Sequence, residues 1–138
     1  MIETSRARHD VCIVENYGAT MSYDELDVAS QRFAAFLQSR AEIRCNDRVA
    51  VMLPNVMQYP VVVCGILRAG LIVVNGNPLY KPRELEHQLR DSGARVIVVL
   101  ENFAAPVAAV ETPLQPDLVI LTQLGDHFSR LRRLATNL

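Results

Sequence analysis

Lysine is nearly missing from this chain: Lys81 is the only one among 138 residues. Phosphoryl and nucleotidyl transfer demand concentrated positive charge, fixed backbone donors and usually magnesium, and one lysine beside no glycine-rich loop supplies little of that. The glycine patterns that cradle phosphates are missing as well. No G-x-G-x-x-G follows an apolar run, which argues against a dinucleotide fold, and no G-x-S-x-G elbow presents a serine nucleophile. Cysteine is sparse. Cys12, Cys45 and Cys64 make an odd count without a C-x-x-C pair, so neither a disulfide framework nor a zinc site is expected, and a reducing, cytoplasmic setting fits best.

Neither charge sign dominates. The formal net charge is −1, and the one local excess of base, Arg130, Arg132 and Arg133, is too small for a nucleic-acid footprint and reads as a solvated helix face. Long hydrophobic runs are also lacking. The longest, Pro60 to Leu67, falls far short of the roughly 20 residues that span a bilayer, so no transmembrane segment is expected. Glu3, Arg6, Arg8, His9 and Asp10 interrupt any apolar core of a secretory signal.

What is present is an ordinary globular balance, with 50% hydrophobic and 21% charged residues. Residues 1 to 18 show no clear periodicity and read as an arm or irregular lead-in. Ala19-Thr20-Met21 is a short strand candidate. Ser22 and Glu25 then have the S-x-x-E spacing of a capping box, opening a helix whose Leu26, Ala29, Phe33, Phe36 and Leu37 share one face and which ends near Arg40.

From Asp47 onward, β-branched runs alternate with helical segments. The strand candidates are RVAVML (48 to 53), LIVVN (71 to 75), ARVIVVL (94 to 100) and DLVILT (117 to 122). They are apolar throughout, as expected for strands covered on both faces. Helix candidates run from Asn55 to Ala69, Pro82 to Ser92 and Asn102 to about Glu111. Pro60 lacks the amide a helix interior needs, so the first of these either starts late, near Tyr59, or kinks; Pro106 raises the same doubt about the last. Gly70 and Gly93 sit where left-handed helix ends favour glycine. The alternation predicts an α/β fold with a mainly parallel sheet and right-handed crossover helices.

Ligands in such folds sit at the carboxyl ends of strands. Pro54-Asn55, Glu101-Asn102 and Gln123-Leu124-Gly125-Asp126 occupy three of these ends and offer neither a glycine cradle nor a cluster of acids for magnesium. His9, His87 and His127 are scattered and read as solvent-facing or locally bonded, and Cys64 reads as a small core residue. No metal-ligand spacing appears. The fourth end, Asn75 to Tyr80, is the best local candidate. Gly76 permits a tight path, Asn77-Pro78 restricts the backbone, and Pro82 with Glu84 favours clean helix initiation. It reads either as a structural turn or, through Asn75, Asn77 and Tyr80, as a loop that contacts a ligand cleft or another domain.

Three stretches, MSYDELDVASQRFAAFLQ, DRVAVMLPNVMQYPVVVCGILRAGLIVVNGNPLY and PRELEHQLRDSGARVIVVLENFA, resemble the N-terminal part of AMP-forming acyl-CoA synthetases, most of all the bacterial long-chain fatty-acid CoA ligases. The resemblance covers about residues 19 to 127 and is particularly close from Asn75 to Gly93. It implies a partial N-terminal α/β subdomain of an adenylate-forming enzyme, followed at 128 to 138 by a basic helix or linker. The parent enzymes use ATP, magnesium and coenzyme A to convert a fatty acid to acyl-CoA, releasing AMP and pyrophosphate. The family's phosphate loop, adenine-contacting motif, magnesium-binding glutamate, ribose-binding aspartate and C-terminal lysine have no matching positions here. The resemblance therefore implies no catalytic, cofactor-binding or metal residue for this chain. Two positions depart from the family pattern: Lys81 replaces a small hydroxyl residue, losing a side-chain cap, and Gly76 replaces a β-branched or aliphatic one.

Two functions from different classes follow. One is a ligase fragment, inactive alone, whose partner is the remainder of the ligase chain, with fatty acid as the parent's substrate and with peripheral membrane association open to the parent. The other is a non-catalytic binding or dimerisation module descended from the same subdomain and capable of self-association. A small nucleotide-binding α/β domain is disfavoured for want of a glycine cradle.

Overall fold

The structure is a computed structural model that describes residues 11–16 and 18–124. His9, His127, Arg130, Arg132, Arg133 and the basic segment 128 to 138 lie outside the described residues. Two sheets form. Strand β1 (Cys12–Asn16) pairs antiparallel with β2 (Ala19–Ser22), so part of the expected irregular lead-in is a strand. A lone hairpin is marginal in water, and this one is held by tertiary packing that local sequence does not reveal: Val14 and Met21 share an apolar cluster with Met57 and Val61.

Helix α1 (Tyr23–Gln38) begins where the S-x-x-E spacing predicts. Ser22 Oγ accepts from the Glu25 amide at 3.3 Å and Glu25 Oε2 accepts from the Ser22 amide at 2.8 Å. The helix ends slightly earlier than expected, capped at Ser39, and the Arg40 guanidinium lies 4.3 Å from the centre of the Phe36 ring. Its most buried line is Ser30, Ala34 and Leu37, with Leu26, Ala29, Phe33 and Phe36 only partly buried. The apolar pattern found the correct side of the helix but missed the small residues at its closest contact. There Gly65 of α2 (Gln58–Arg68) approaches so closely that an added Cβ would lie 2.7 Å from Phe33 Cδ1 and 3.1 Å from the Ser30 carbonyl. An ion pair from Asp27 to Arg68 joins the same two helices.

The main sheet contains β3 (Arg48–Met52), β4 (Ile72–Asn75), β5 (Val96–Leu100) and β6 (Leu118–Thr122), all parallel, in the order β4-β3-β5-β6. Helix α3 (Pro82–Ser92) has the expected limits, and Gly93 closes it at φ 65°. Helix α2 starts late, placing Pro60 at its third residue, where a missing amide breaks no intrahelical bond. The helix expected from Asn102 to Glu111 is instead a 3₁₀ turn (Glu101–Phe103) and a single turn, α4 (Ala105–Ala108). Pro106 explains the break: inside a longer helix its ring would meet the carbonyl four residues back.

Alternate strand residues feed two cores. Val49, Val51, Val96, Val98 and Leu100 face α1 and α2, while Ala50, Met52, Ile97 and Val99 face Leu85 and Leu89 of α3 and Val107 of α4. The path from β3 to β4 runs one way with its helix on the first face. Those from β4 to β5 and β5 to β6 run the other way with their helices on the second, as a constant crossover hand demands. Burial on both faces holds for β3 and β5 only. The outer strands β4 and β6 are half exposed, with Ile72, Val119 and Leu121 open to solvent, because a sheet edge lacks a neighbour to extend the helical cover over it.

Candidate functional site

All four strands of the main sheet deliver their carboxyl ends to one edge, and chain direction reverses between β3 and β5, where an open α/β sheet forms its crevice. The loop from Asn75 to Tyr80 leaves β4 at this edge. The Asn75 side-chain oxygen accepts from the Tyr59 hydroxyl at 3.2 Å, and its carbonyl accepts from Gln88 Nε2 at 2.7 Å. Gly76 extends the ladder by one bond, its amide donating to the Val51 carbonyl at 3.0 Å. Asn77 turns back on its own loop: its side-chain oxygen accepts from the Leu79 amide at 2.9 Å, and its carbonyl from the Tyr80 amide at 3.1 Å. This Asx arrangement makes the turn. Tyr80 packs against the core on the α3 side.

The three residues singled out from the sequence thus have separate surroundings. Asn75 ties β4 to α2 and α3, Asn77 shapes the turn, and Tyr80 lines a shallow surface groove with Glu84, His87, Gln88, Asp91 and Ser92. His87 is exposed and lies 3.2 Å from Asp91 one helical turn away, a local bond of the kind expected for it. At the start of α3 an ammonium cannot accept a hydrogen bond, so Lys81 caps through its backbone: its carbonyl accepts from the Glu84 amide at 3.0 Å, and Glu84 Oε2 accepts from the Lys81 amide at 2.8 Å. The side-chain half of the capping box is lost, and the reciprocal half is kept.

Gly76 has a steric reason. An added Cβ would lie 2.6 Å from Gln88 Oε1 and 3.2 Å from Met52 Cγ; Gln88 occupies the space a larger residue would take. The same facts test the loop against a phosphate. The Gly76 amide is already committed to Val51 and its open side is filled by Gln88, so it offers no cradle. Among the described residues there is no group of three His, Cys, Asp or Glu able to hold a metal ion. The turn at Gly76 therefore does not fit a phosphate group.

A second polar group at the same edge escaped sequence reasoning. Gln58, nearly buried, donates through Nε2 to the Gln123 carbonyl at 2.6 Å, and Gln123 Nε2 donates to Glu101 Oε2 at 2.7 Å. Asn16 Nδ2 donates to the Asn55 carbonyl. These bonds join the hairpin, the loop after β3, α2 and the ends of β5 and β6 across the crevice. Their partners are far apart in sequence, so no spacing announces them. They fix geometry and supply no nucleophile. Cys64 is half buried on α2 instead of fully in the core; burial raises its thiol pKa, and the nearby Arg68 charge offsets this only in part, which keeps the sulfur protonated and unreactive at neutral pH.

A doubly wound sheet with its reversal between β3 and β5 defines an α/β fold, and its lineage is clear from the family comparison. The family model described as AMP-binding enzyme matches residues 3–134, and the chain belongs to that family. It is 49% identical over 138 residues to the long-chain-fatty-acid–CoA ligase of Escherichia coli, covering 99% of this chain and 25% of that protein. To the corresponding ligase of Bacillus subtilis it is 36% identical over 118 residues, covering 86% and 21%. The chain therefore spans about a quarter of the length of the curated relatives it matches. Among solved structures, the anthranilate CoA ligase AuaEII, in complex with anthranoyl-AMP, matches with a TM-score of 0.78 at 21% identity over 99% of this chain and 26% of that one. At that identity the likeness is one of fold.

Proposed function

We propose that this chain forms the N-terminal scaffold of a long-chain fatty-acid CoA ligase. In the whole enzyme a fatty acid and ATP give an acyl-adenylate and pyrophosphate, and the thiol of coenzyme A then displaces AMP to form the thioester. ATP, magnesium and coenzyme A belong to that whole enzyme, which acts in the cytoplasm with peripheral access to membranes. This chain brings no catalytic residue of its own and is inactive alone. Its part is to hold the carboxyl edge of the sheet in shape for the remainder of the ligase chain, with Asn75, Asn77 and Tyr80 forming the loop that meets the ligand cleft or a neighbouring domain.

The observation that carries this reading is 49% identity to a fatty-acid CoA ligase along essentially the whole chain, beside strand ends that carry hydrogen bonds and no activating chemistry. A chimera tests it. Residues 1–138 exchanged for the matching quarter of the Escherichia coli ligase should retain fatty-acid-dependent acyl-CoA formation with a long-chain substrate. A folded chimera that makes acyl-CoA only from another class of acid would contradict the assignment. The reading as a binding or dimerisation module draws on the exposed apolar residues of β6. Sedimentation of the chain separates the two, since a defined, tight dimer favours the module.

A further inference from the structure

Strand β6 ends the sheet without the features that usually protect an outer strand. Its five residues, Leu118-Val119-Ile120-Leu121-Thr122, include neither charge nor proline. Its register with β5 runs without a bulge, and its far edge has no partner among the described residues. An edge of this kind is a ready template for another strand.

One face of β6 is open as well. Val119 pairs with Ile97 and Leu121 with Val99, and paired residues of neighbouring strands share a face, so both lie on the side that α3 and α4 cover. Ile97 and Val99 are fully buried there, whereas Val119 is 40% and Leu121 55% exposed. Leu118 and Ile120, on the other face, pack against the α1–α2 core. The open row has polar ends: Asp117 pairs with Arg95 before it, and Gln123 donates to Glu101 beyond it at 2.7 Å. An apolar middle between polar ends is the make-up of a contact surface. On the other outer strand, β4, the only large apolar side chain open to solvent is Ile72.

We infer that the remainder of the ligase polypeptide docks on β6, adding an extended segment to its far edge and covering Val119 and Leu121. This rests on the reading of the chain as part of a ligase. The match takes in 99% of this chain but 25% of the Escherichia coli ligase, so most of that polypeptide lies outside it and is available to supply a strand and its cover. A contact within one polypeptide also forms at high effective concentration, whereas a second copy would have to overcome the full entropy of association.

Thiol labelling tests it. Val119→Cys and Leu121→Cys, made separately, are treated with a maleimide in the 138-residue chain and in the chimera of residues 1–138 with the rest of the Escherichia coli ligase. Mass spectrometry reads the label at the new cysteine, and each rate is divided by that of the same protein unfolded in urea. Both sites should label rapidly in the chain and at least about tenfold more slowly in the chimera, since a covered thiol reacts only through local opening. Equal rates in chain and chimera would overturn the inference, even where the chimera makes long-chain acyl-CoA. Protection in the chimera that vanishes on dilution would overturn it in favour of a contact between copies. Protection in a folded chimera that makes no long-chain acyl-CoA would support the docking and count against the substrate reading alone. Should the chimera not fold, cysteines at the aligned positions of the Escherichia coli ligase itself carry the same expectations.

Discussion

At the scale of single residues, the glycine at position 76 has a physical account. Gly76 and Gln88 form a matched pair: one leaves a space, and the other fills it while bonding the Asn75 carbonyl. Gly76→Ala should displace the Gln88 amide and cost about 1 kcal/mol, the net value of a typical hydrogen bond. In a Gln88→Ala background the same change should cost much less, and a denaturant double-mutant cycle measures that coupling directly. Thiol labelling offers a second check. Cys12 and Cys45 are exposed and should react rapidly at neutral pH, whereas Cys64 should react slowly until the chain unfolds. The sign of its pH effect follows from the raised folded pKa: the native thiol keeps its proton longer, so its contribution to stability is complete below the ordinary thiol range and is lost as the pH rises through the raised value.

Whole elements were legible to the extent that their determinants are local. Ser22 with Glu25, Pro82 with Glu84, and the closing glycines are short-range signals, and they placed the starts of α1 and α3 and the ends of α2 and α3 correctly. Pro106 was visible too, but how far it would shorten its helix was not, since that depends on whether tertiary packing can hold the remaining turns. The hairpin strand β1 was missed because its partner clusters come from α2. The close crossing of α1 and α2 was equally hidden: Ser30, Ala34 and Gly65 carry little hydrophobic signal, yet they set the distance between the helices. Gly65→Ala gains up to about 1 kcal/mol of helix propensity but forces a methyl against Phe33 and the Ser30 carbonyl, an overpacking cost of about 1–3 kcal/mol. The net effect should be destabilising, and larger for Gly65→Val, as measured by urea unfolding.

Across the whole molecule, the sequence revealed the class of fold through the alternation of apolar runs and helices, while the strand order and the two edges came only from the structure. Periodicity cannot tell a central strand such as β5 from an outer one such as β6, because both are written in valine, leucine and isoleucine. The site followed the same division. The turn from Asn75 to Tyr80 was legible as a turn because its chemistry is contiguous, and the bonds joining Gln58, Gln123 and Glu101 were not, because they cross 65 and 22 positions of sequence. In both places side chains are committed to hydrogen bonds with the backbone or with one another, although Gln88 Oε1 is buried without a partner. On the proposed reading, such an edge aligns parts of a larger enzyme and leaves to the rest of it the charge stabilisation that adenylation requires. Fatty-acid-dependent exchange of pyrophosphate into ATP by the purified 138-residue chain, with magnesium present, is the most direct measurement of this claim. The account predicts no exchange above the protein-free background, and sustained exchange proportional to chain concentration would contradict it.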